Sequence, residues 1–443
     1  MPIRSVPALV IALVVPVGLR AQDASLSLSF AAAVSRAAGD APVVTLAGLL
    51  TEEARARVRE ARAPLLPGFS ATGSWVNQTL NPDAFGFRSL NIPGFPSGRR
   101  IGPFDLVDAR LRVTQTLFDY ASMARVRAAR SQLAGVQADS GLAAESAVQA
   151  AALAYLRALR AQAIVAARLA DSALAAELVQ LAQAQQDADV GTAIDVTRAR
   201  TQLVTAAGRL VLARNLEARA RIDLARVLGL EPDTPIALTD TLAAALPLAE
   251  LPAARDSLIT LALEHRPDLV AEQARGLAAR RTGSAISAER LPRVDLSANY
   301  GAIGLSFGDA IATHLIALQV TIPILDGFRR ESRQAGLQAG VRASDVRVAE
   351  LRRQVAADVD AARLDLSSAE QQQAIAVDGL QLAQQELDQS RERFKAGVAG
   401  NIEVINAQLS FVRARDADID ARFAAAVARV ALARAVGVAR LLH

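Results

Sequence analysis

Four stretches of the chain alternate apolar and polar side chains with a period of two, the signature of a strand with unlike faces. Val107, Ala109, Leu111 and Val113 alternate with Asp108, Arg110, Arg112 and Thr114. Ile316, Leu318, Val320 and Ile322 alternate with Leu315, Ala317, Gln319 and Thr321, and Val294, Leu296, Ala298 and Tyr300 with Arg293, Asp295, Ser297 and Asn299. Phe69, Ala71 and Trp75 alternate with Ser70, Thr72 and Ser74 in a weaker version. The pattern predicts strands over about 68–80, 104–118, 293–305 and 312–324, grouped as two pairs, with Pro323 near a strand end where a missing N–H is tolerated. Each is long enough to cross a bilayer when tilted.

The rest of the pattern is helical. From Tyr120 to about Asp189 there is no proline and only Gly135 and Gly141, and Arg329 to Lys395 is also free of proline. A helix of roughly 70 residues spans ~105 Å, a length that suits coiled coils rather than globular domains. In the first, a stripe runs Leu156, Leu159, Ala163, Ala167, Ala170, Leu174, Leu178, Leu181 at helical spacing. A shorter helix begins near Val196 with a stripe through Ala199, Leu203, Ala206, Leu210 and Ala213, and the same stripe recurs 208 residues on as Val404, Ala407, Phe411, Ala414. The later copy carries a second seam, Ile405, Leu409, Val412, Ile419, Phe423, Val430, so it needs two neighbours. A curved wall of helices meets that need, and so does a plain bundle.

These elements belong to an internal duplication. Pro42 pairs with Pro267 and Pro67 with Pro292, both 225 residues apart. Val113 to Asp119 pairs with Val320 to Asp326 at 207, while Asp195-Val196 pairs with Glu403-Val404 and Leu228-Gly229 with Val436-Gly437 at 208. The shift requires one insertion in the first copy, at Asn81 to Pro103, whose Gly and Pro content marks a loop. The expected organisation is a signal peptide at 1–21, a first repeat at 22–230 with a hairpin tip near 189–195, a linker at 231–255, a second repeat at 256–437 with a tip near 395–402, and a tail at 438–443. The leader rests on Arg4 followed by an apolar run from Val6 to Leu19, too short to span a bilayer. After it no apolar run is long enough for a transmembrane helix, so the exported chain is expected in the periplasm, in the medium, or in the outer membrane as β-structure.

Composition narrows the chemistry. The 443 residues are 52% apolar but only 4% aromatic, which favours closely packed helices over a broad sheet core. There are no cysteines, which excludes disulfides and thiolate chemistry. The net charge of +4 over this length is no nucleic-acid footprint. His265, His314 and His443 are far apart and none has a ligand partner one helical turn away, so no metal is expected; no cofactor motif or nucleophile constellation is present, so no enzyme is expected.

The strands admit two readings: soluble hairpins on a periplasmic coiled-coil adaptor or scaffold, or membrane strands. Four strands cannot close a barrel, and an open edge in lipid leaves N–H and C=O groups unsatisfied. Membrane strands therefore require several chains to share one barrel, eight strands from two chains or twelve from three.

The chain resembles the TolC family of outer-membrane efflux proteins. The resemblance is carried by His265-Arg266-Pro267-Asp268-Leu269, Leu291-Pro292, Ile322-Pro323-Ile324-Leu325-Asp326-Gly327, and the tips Val190-Gly191-Thr192-Ala193-Ile194-Asp195-Val196 and Ala396-Gly397-Val398. It implies a mainly α fold with a small membrane β part: a homotrimer with a twelve-stranded β-barrel in the outer membrane, continued by a helical α-barrel across the periplasm. It implies passive export as the outer channel of a tripartite efflux or type I secretion system. The implied partners are a periplasmic adaptor (membrane fusion protein), an inner-membrane pump of RND, ABC or MFS type, and outer-membrane lipid. The tips Val190, Gly191, Thr192, Gly397, Val398 and Gly400 would dock the adaptor, the two tip glycines Gly191 and Gly397 supplying positive φ for the reversal. Glu403 and Asn406 match positions where such proteins ring the periplasmic aperture with carboxylates, and Asn406 departs from the acidic pattern. Phe394 matches a position that can be tyrosine, without the hydroxyl that ties the closed state. Asp195 and Glu403 each begin a helix, where a carboxylate also meets the helix dipole favourably.

Overall fold

The structure, a computed structural model, describes residues 26–81, 100–242, 252 and 254–441. The expected signal peptide, most of the Gly/Pro-rich insertion and part of the join between repeats lie outside the described residues. The first copy runs β1 (Leu26–Leu28), α1 (Phe30–Asp40), α2 (Pro42–Arg62), β2 (Gly68–Leu80), β3 (Ile101–Phe118), α3 (Tyr120–Asp187) and α4 (Ala193–Val227). The second repeats it as β4 (Ile236–Leu238), α5 (Arg255–His265), α6 (Pro267–Ala288), β5 (Arg293–Gly304), β6 (Ile311–Thr321), α7 (Arg329–Lys395) and α8 (Asn401–Val436). Each copy thus opens with a short strand followed by two helices. The long helices α3 and α7 have 68 and 67 residues.

The duplicated prolines and glycines have the same work in each copy. Pro42 and Pro267 sit in the first turn of α2 and α6, where a missing N–H costs nothing. Gly229 and Gly437 follow α4 and α8 with φ of +68° and +82°. A Cβ on Gly229 would stand 3.1 Å from Pro42, and one on Gly437 2.9 Å from Arg266, so each copy closes on the start of its own second helix.

The four long strands form one antiparallel sheet in the order β2-β3-β5-β6, because β3 pairs with β5 across the two copies. The expected two pairs are therefore one surface. β3 begins at Ile101, earlier than its alternation suggested, and β6 stops at Thr321, because Pro323 has no N–H to extend the ladder. The register aligns the alternations: Phe69 faces Val113, Val113 faces Ala298, and Ala298 faces Ile316. Directly paired residues point to the same side, so Phe69, Trp75, Leu111, Tyr300, Ile316 and Leu318 share one face. All six are exposed. The other face carries Ser70, Thr72, Arg110, Arg112, Ser297 and Asn299, with Val76, Leu106, Ile303, Ile311 and Leu315 among its large apolar members.

In the half nearest the sheet, α2, α3, α6 and α7 pack side by side; in the far half the order is α4, α3, α8, α7. The two sets overlap at mid-height around Tyr155, Phe30, Leu156, Leu159, Leu224 and Val430, all closed from solvent. The α3 stripe is buried or half-buried except at Ala170. Both seams of α8 are used, one against α7 and one against α3. α4 uses one seam; its other side exposes Val204, Val211 and Leu212. The short strands β1 and β4 pair in parallel and dock on this core, the Tyr155 hydroxyl lying 2.7 Å from the Asp240 carboxylate, which also accepts from the Phe30 N–H at 2.6 Å. Burial and the neighbouring Asp240 carboxylate push the Tyr155 hydroxyl well above its ordinary range. Among the described residues no helix is long and apolar enough to cross a membrane, which leaves the sheet untouched by that criterion.

Candidate functional site

The far ends of the two helical hairpins are the parts of the molecule most distant in the chain path from the sheet. Both reverse tightly, by different means. After α7, Gly397 takes φ +72°, with its N–H on the Phe394 carbonyl (3.0 Å) and the Val398 N–H on the Arg393 carbonyl (3.1 Å). After α3 the left-handed residue is Asp189 (φ 56°), not Gly191. Gly191 instead allows close approach: its N–H meets the Gln185 carbonyl at 2.9 Å, and a Cβ there would stand 3.0 Å from Gln185 and Gln186. The expectation of positive φ therefore holds for Gly397 and is corrected for Gly191.

Thr192 precedes α4, and its N–H donates to Asp195 at 3.3 Å, so the Asp195 carboxylate is occupied by its own helix start, with Arg198 at 3.9 Å. Gly400 holds the equivalent place before α8 at an ordinary extended φ of −84°. Val190, Ile194, Val398 and Ile402 are all more than half exposed, so both tips present aliphatic surface.

The tips are joined to each other. The Gln185 side-chain amide donates to the Phe394 carbonyl at 3.2 Å, and the Asn401 amide to the Asp195 carbonyl at 2.9 Å. Phe394 is buried among Leu178, Leu387, Val404 and Ala407. Its ring is thus a wedge between hairpins. Farther along the same seam, Arg168 holds Asp171 (2.9 Å) and Asp416 (2.5 Å), and Arg415 pairs with the same Asp171. Burial works against the charge on Arg168, but the hydrogen bonds it donates to Asp416 and Asp171 outweigh it and hold its pKa above the ordinary value.

Glu403 is not a free carboxylate: Arg393 on α7 approaches it to 2.9 Å. Asn406 is exposed one turn along α8. The tip residues Val190, Gly191, Thr192 and Asp195 and the residues Phe394, Gly397, Val398, Gly400, Glu403 and Asn406 are therefore gathered at one end of the molecule. Sequence reading missed Arg393, Gln185 and Asn401, whose roles depend on which helix lies opposite. Among the described residues no group of His, Asp or Glu could hold a metal ion.

A family model described as outer membrane efflux protein matches residues 33–230 and 258–438, one segment in each repeat. Protein CyaE of Bordetella pertussis is 28% identical over 304 residues, 68% of this chain and 64% of that protein, so the chain spans just under two thirds of that relative. Outer membrane efflux protein BepC of Brucella suis is 29% identical over 334 residues, 74% of this chain and 71% of that protein. The outer membrane protein VceC of Vibrio cholerae has a solved structure that superposes with a TM-score of 0.73 at 20% identity, over 92% of this chain and 96% of that one, a likeness of fold.

Proposed function

This chain belongs to the outer membrane efflux protein family, and on that premise we propose that three copies form a passive channel that carries cargo across the periplasm and the outer membrane. The family is one of channels rather than enzymes, and its members work with periplasmic adaptors and inner-membrane pumps. The observation that carries the reading is the sheet: four registered strands, one face apolar and exposed, and two open edges at β2 and β6. In lipid those edges must be paired. Pairing β6 of one copy with β2 of the next closes twelve strands around a polar lumen. The helical body asks for the same partner. α4 exposes Val204, Val211 and Leu212, and α7, at the opposite edge, exposes Val346, Leu364 and Ile375. A neighbouring copy covers both.

At the far end, the aliphatic tips around Val190 and Val398 dock the adaptor, and the linked pair of tips narrows the entrance. Glu403, tied to Arg393, and the uncharged Asn406 give that entrance a weak cation preference. The assembly is tested by native mass measurement in detergent, where three chains are expected; a monomer that keeps all its strands in detergent overturns the reading.

A further inference from the structure

The strand–helix junctions carry a concentration of positive charge that export through the lumen does not require. In residues 59–62, 119–130, 280–293 and 326–333 there are twelve arginines against five carboxylates. That is a net of +7 in a chain whose total is +4, so everything else sums to negative. All four segments lie where a strand meets a helix, so the charge forms a collar at one level of the molecule. Its depth is about 15 Å, ten helical residues.

Five of these arginines, Arg59, Arg62, Arg130, Arg281 and Arg329, are exposed and make no ion pair among the described residues. At the same level large apolar side chains stand in solvent, among them Phe118, Tyr120, Ile324, Leu325 and Phe328, the last three at 91%, 75% and 69% exposure. Arg127 lies 5.7 Å over the Tyr120 ring. Exposed aromatics interleaved with unpaired guanidinium groups, directly below an apolar sheet face, match a layer that is apolar on one side and anionic on the other. Arginine suits phosphate because its planar fork donates two parallel hydrogen bonds and is weakly hydrated. Its long stem lies along apolar surface while the head reaches the phosphate.

We propose that this collar binds anionic phospholipid headgroups of the periplasmic leaflet of the outer membrane, and so sets the depth at which the channel sits. The inference rests on the channel reading above. The phosphates neutralise the unpaired arginines, and the exposed Ile324, Leu325 and Phe328 enter the acyl boundary beside them.

The test uses the full trimer in neutral detergent, with phosphatidylglycerol or phosphatidylcholine added and bound lipid counted by native mass spectrometry. Phosphatidylglycerol should be retained roughly tenfold more than phosphatidylcholine at low salt, and the preference should vanish near ~1 M salt, where charges are screened within a few ångströms. Replacing Arg59, Arg62, Arg130, Arg281 and Arg329 by Gln should remove the preference while the trimer persists. Equal retention of the two lipids by the unaltered trimer overturns the collar and leaves the channel standing. So does a substituted trimer that keeps the full preference. Should the substituted chains separate into monomers instead, the arginines are contacts between copies and the proposal falls. A chain that stays monomeric and soluble without detergent overturns the channel reading itself.

Discussion

Tyr155, Phe30, Leu156 and Leu224 are closed from solvent by residues of their own chain, whereas Trp75, Ile316 and Leu318 of the sheet are more than 60% exposed within it. The centre of the helical body is a finished core: an edge-on Phe30–Tyr155 pair with centroids 5.8 Å apart, a buried hydroxyl on Asp240, and strands β1 and β4 sealing the two repeats together. The sheet has one face that shuns water, another that is polar, and two edges with unmet hydrogen bonds. One region is complete in the monomer; the other, on the proposed channel reading, is completed by lipid and by further copies. Substitutions in the core should therefore act on the stability of each chain, and substitutions in the sheet on assembly.

The sharpest way to break this contrast is Leu318→Arg on the apolar sheet face. A guanidinium there costs about 2–4 kcal/mol per chain in the middle of a bilayer, and the trimer carries it three times over. Membrane insertion should be lost, while the helical unfolding midpoint of the chain in detergent stays unchanged. A normal yield of inserted trimer would refute the membrane role of that face. Next in size is Phe30→Ala, expected to lower chain stability by about 3–5 kcal/mol in a denaturant titration followed by circular dichroism, with the trimer still forming below the transition. Tyr155→Phe removes only the hydroxyl and should cost about 1–3 kcal/mol, since Asp240 keeps the Phe30 N–H; no measurable change would mean that the hydroxyl is not part of the seal.

At the tips the two repeats can be set against each other. Gly397→Val forces a β-branched residue into φ +72° and should cost about 1–2 kcal/mol locally, read as faster proteolysis at that tip. Gly191→Val meets crowding at Gln185 instead. Export should fall in both variants while trimer yield holds. The smallest effect is that of pH. Burial alone would raise the Asp268 and Glu272 carboxyls, but Arg266 beside the first and Arg347 and Ser344 beside the second hold both below their ordinary values. Their contribution is present above the ordinary carboxylate range and is lost as pH falls through it toward the lowered folded values. The thermal midpoint should decline between about pH 5 and pH 3, and Asp268→Asn should flatten the decline; an unchanged slope would remove Asp268 from the account.

The periodic parts of this fold were open to reading because their causes are local. Alternation at Val107 to Thr114 reports a face whatever that face meets, and the absence of proline from Tyr120 to Asp187 permits one helix whatever lies beside it. The offsets of 225, 207 and 208 exposed the duplication because each copy solves the same steric problem, as the closing glycines Gly229 and Gly437 show. The candidate site was legible to the same depth. Its glycines and helix starts were visible, but the Arg393 partner of Glu403 was not.

What the sequence by itself determined is the set of elements, their lengths and the two-faced character of each strand, since backbone sterics and side-chain period act within a few residues. Only the tertiary structure decided that β3 pairs with β5, making one sheet of two hairpins; that Arg393 reaches Glu403; that Asn401 and Gln185 tie one tip to the other; and that Asp189 rather than Gly191 takes the left-handed turn. Each of these depends on which surface lies a few ångströms away from a residue hundreds of positions distant, or on how a helix end must bend to meet it. A one-dimensional pattern carries the tendency to form a face, but the partner of that face is chosen only when the whole chain has packed.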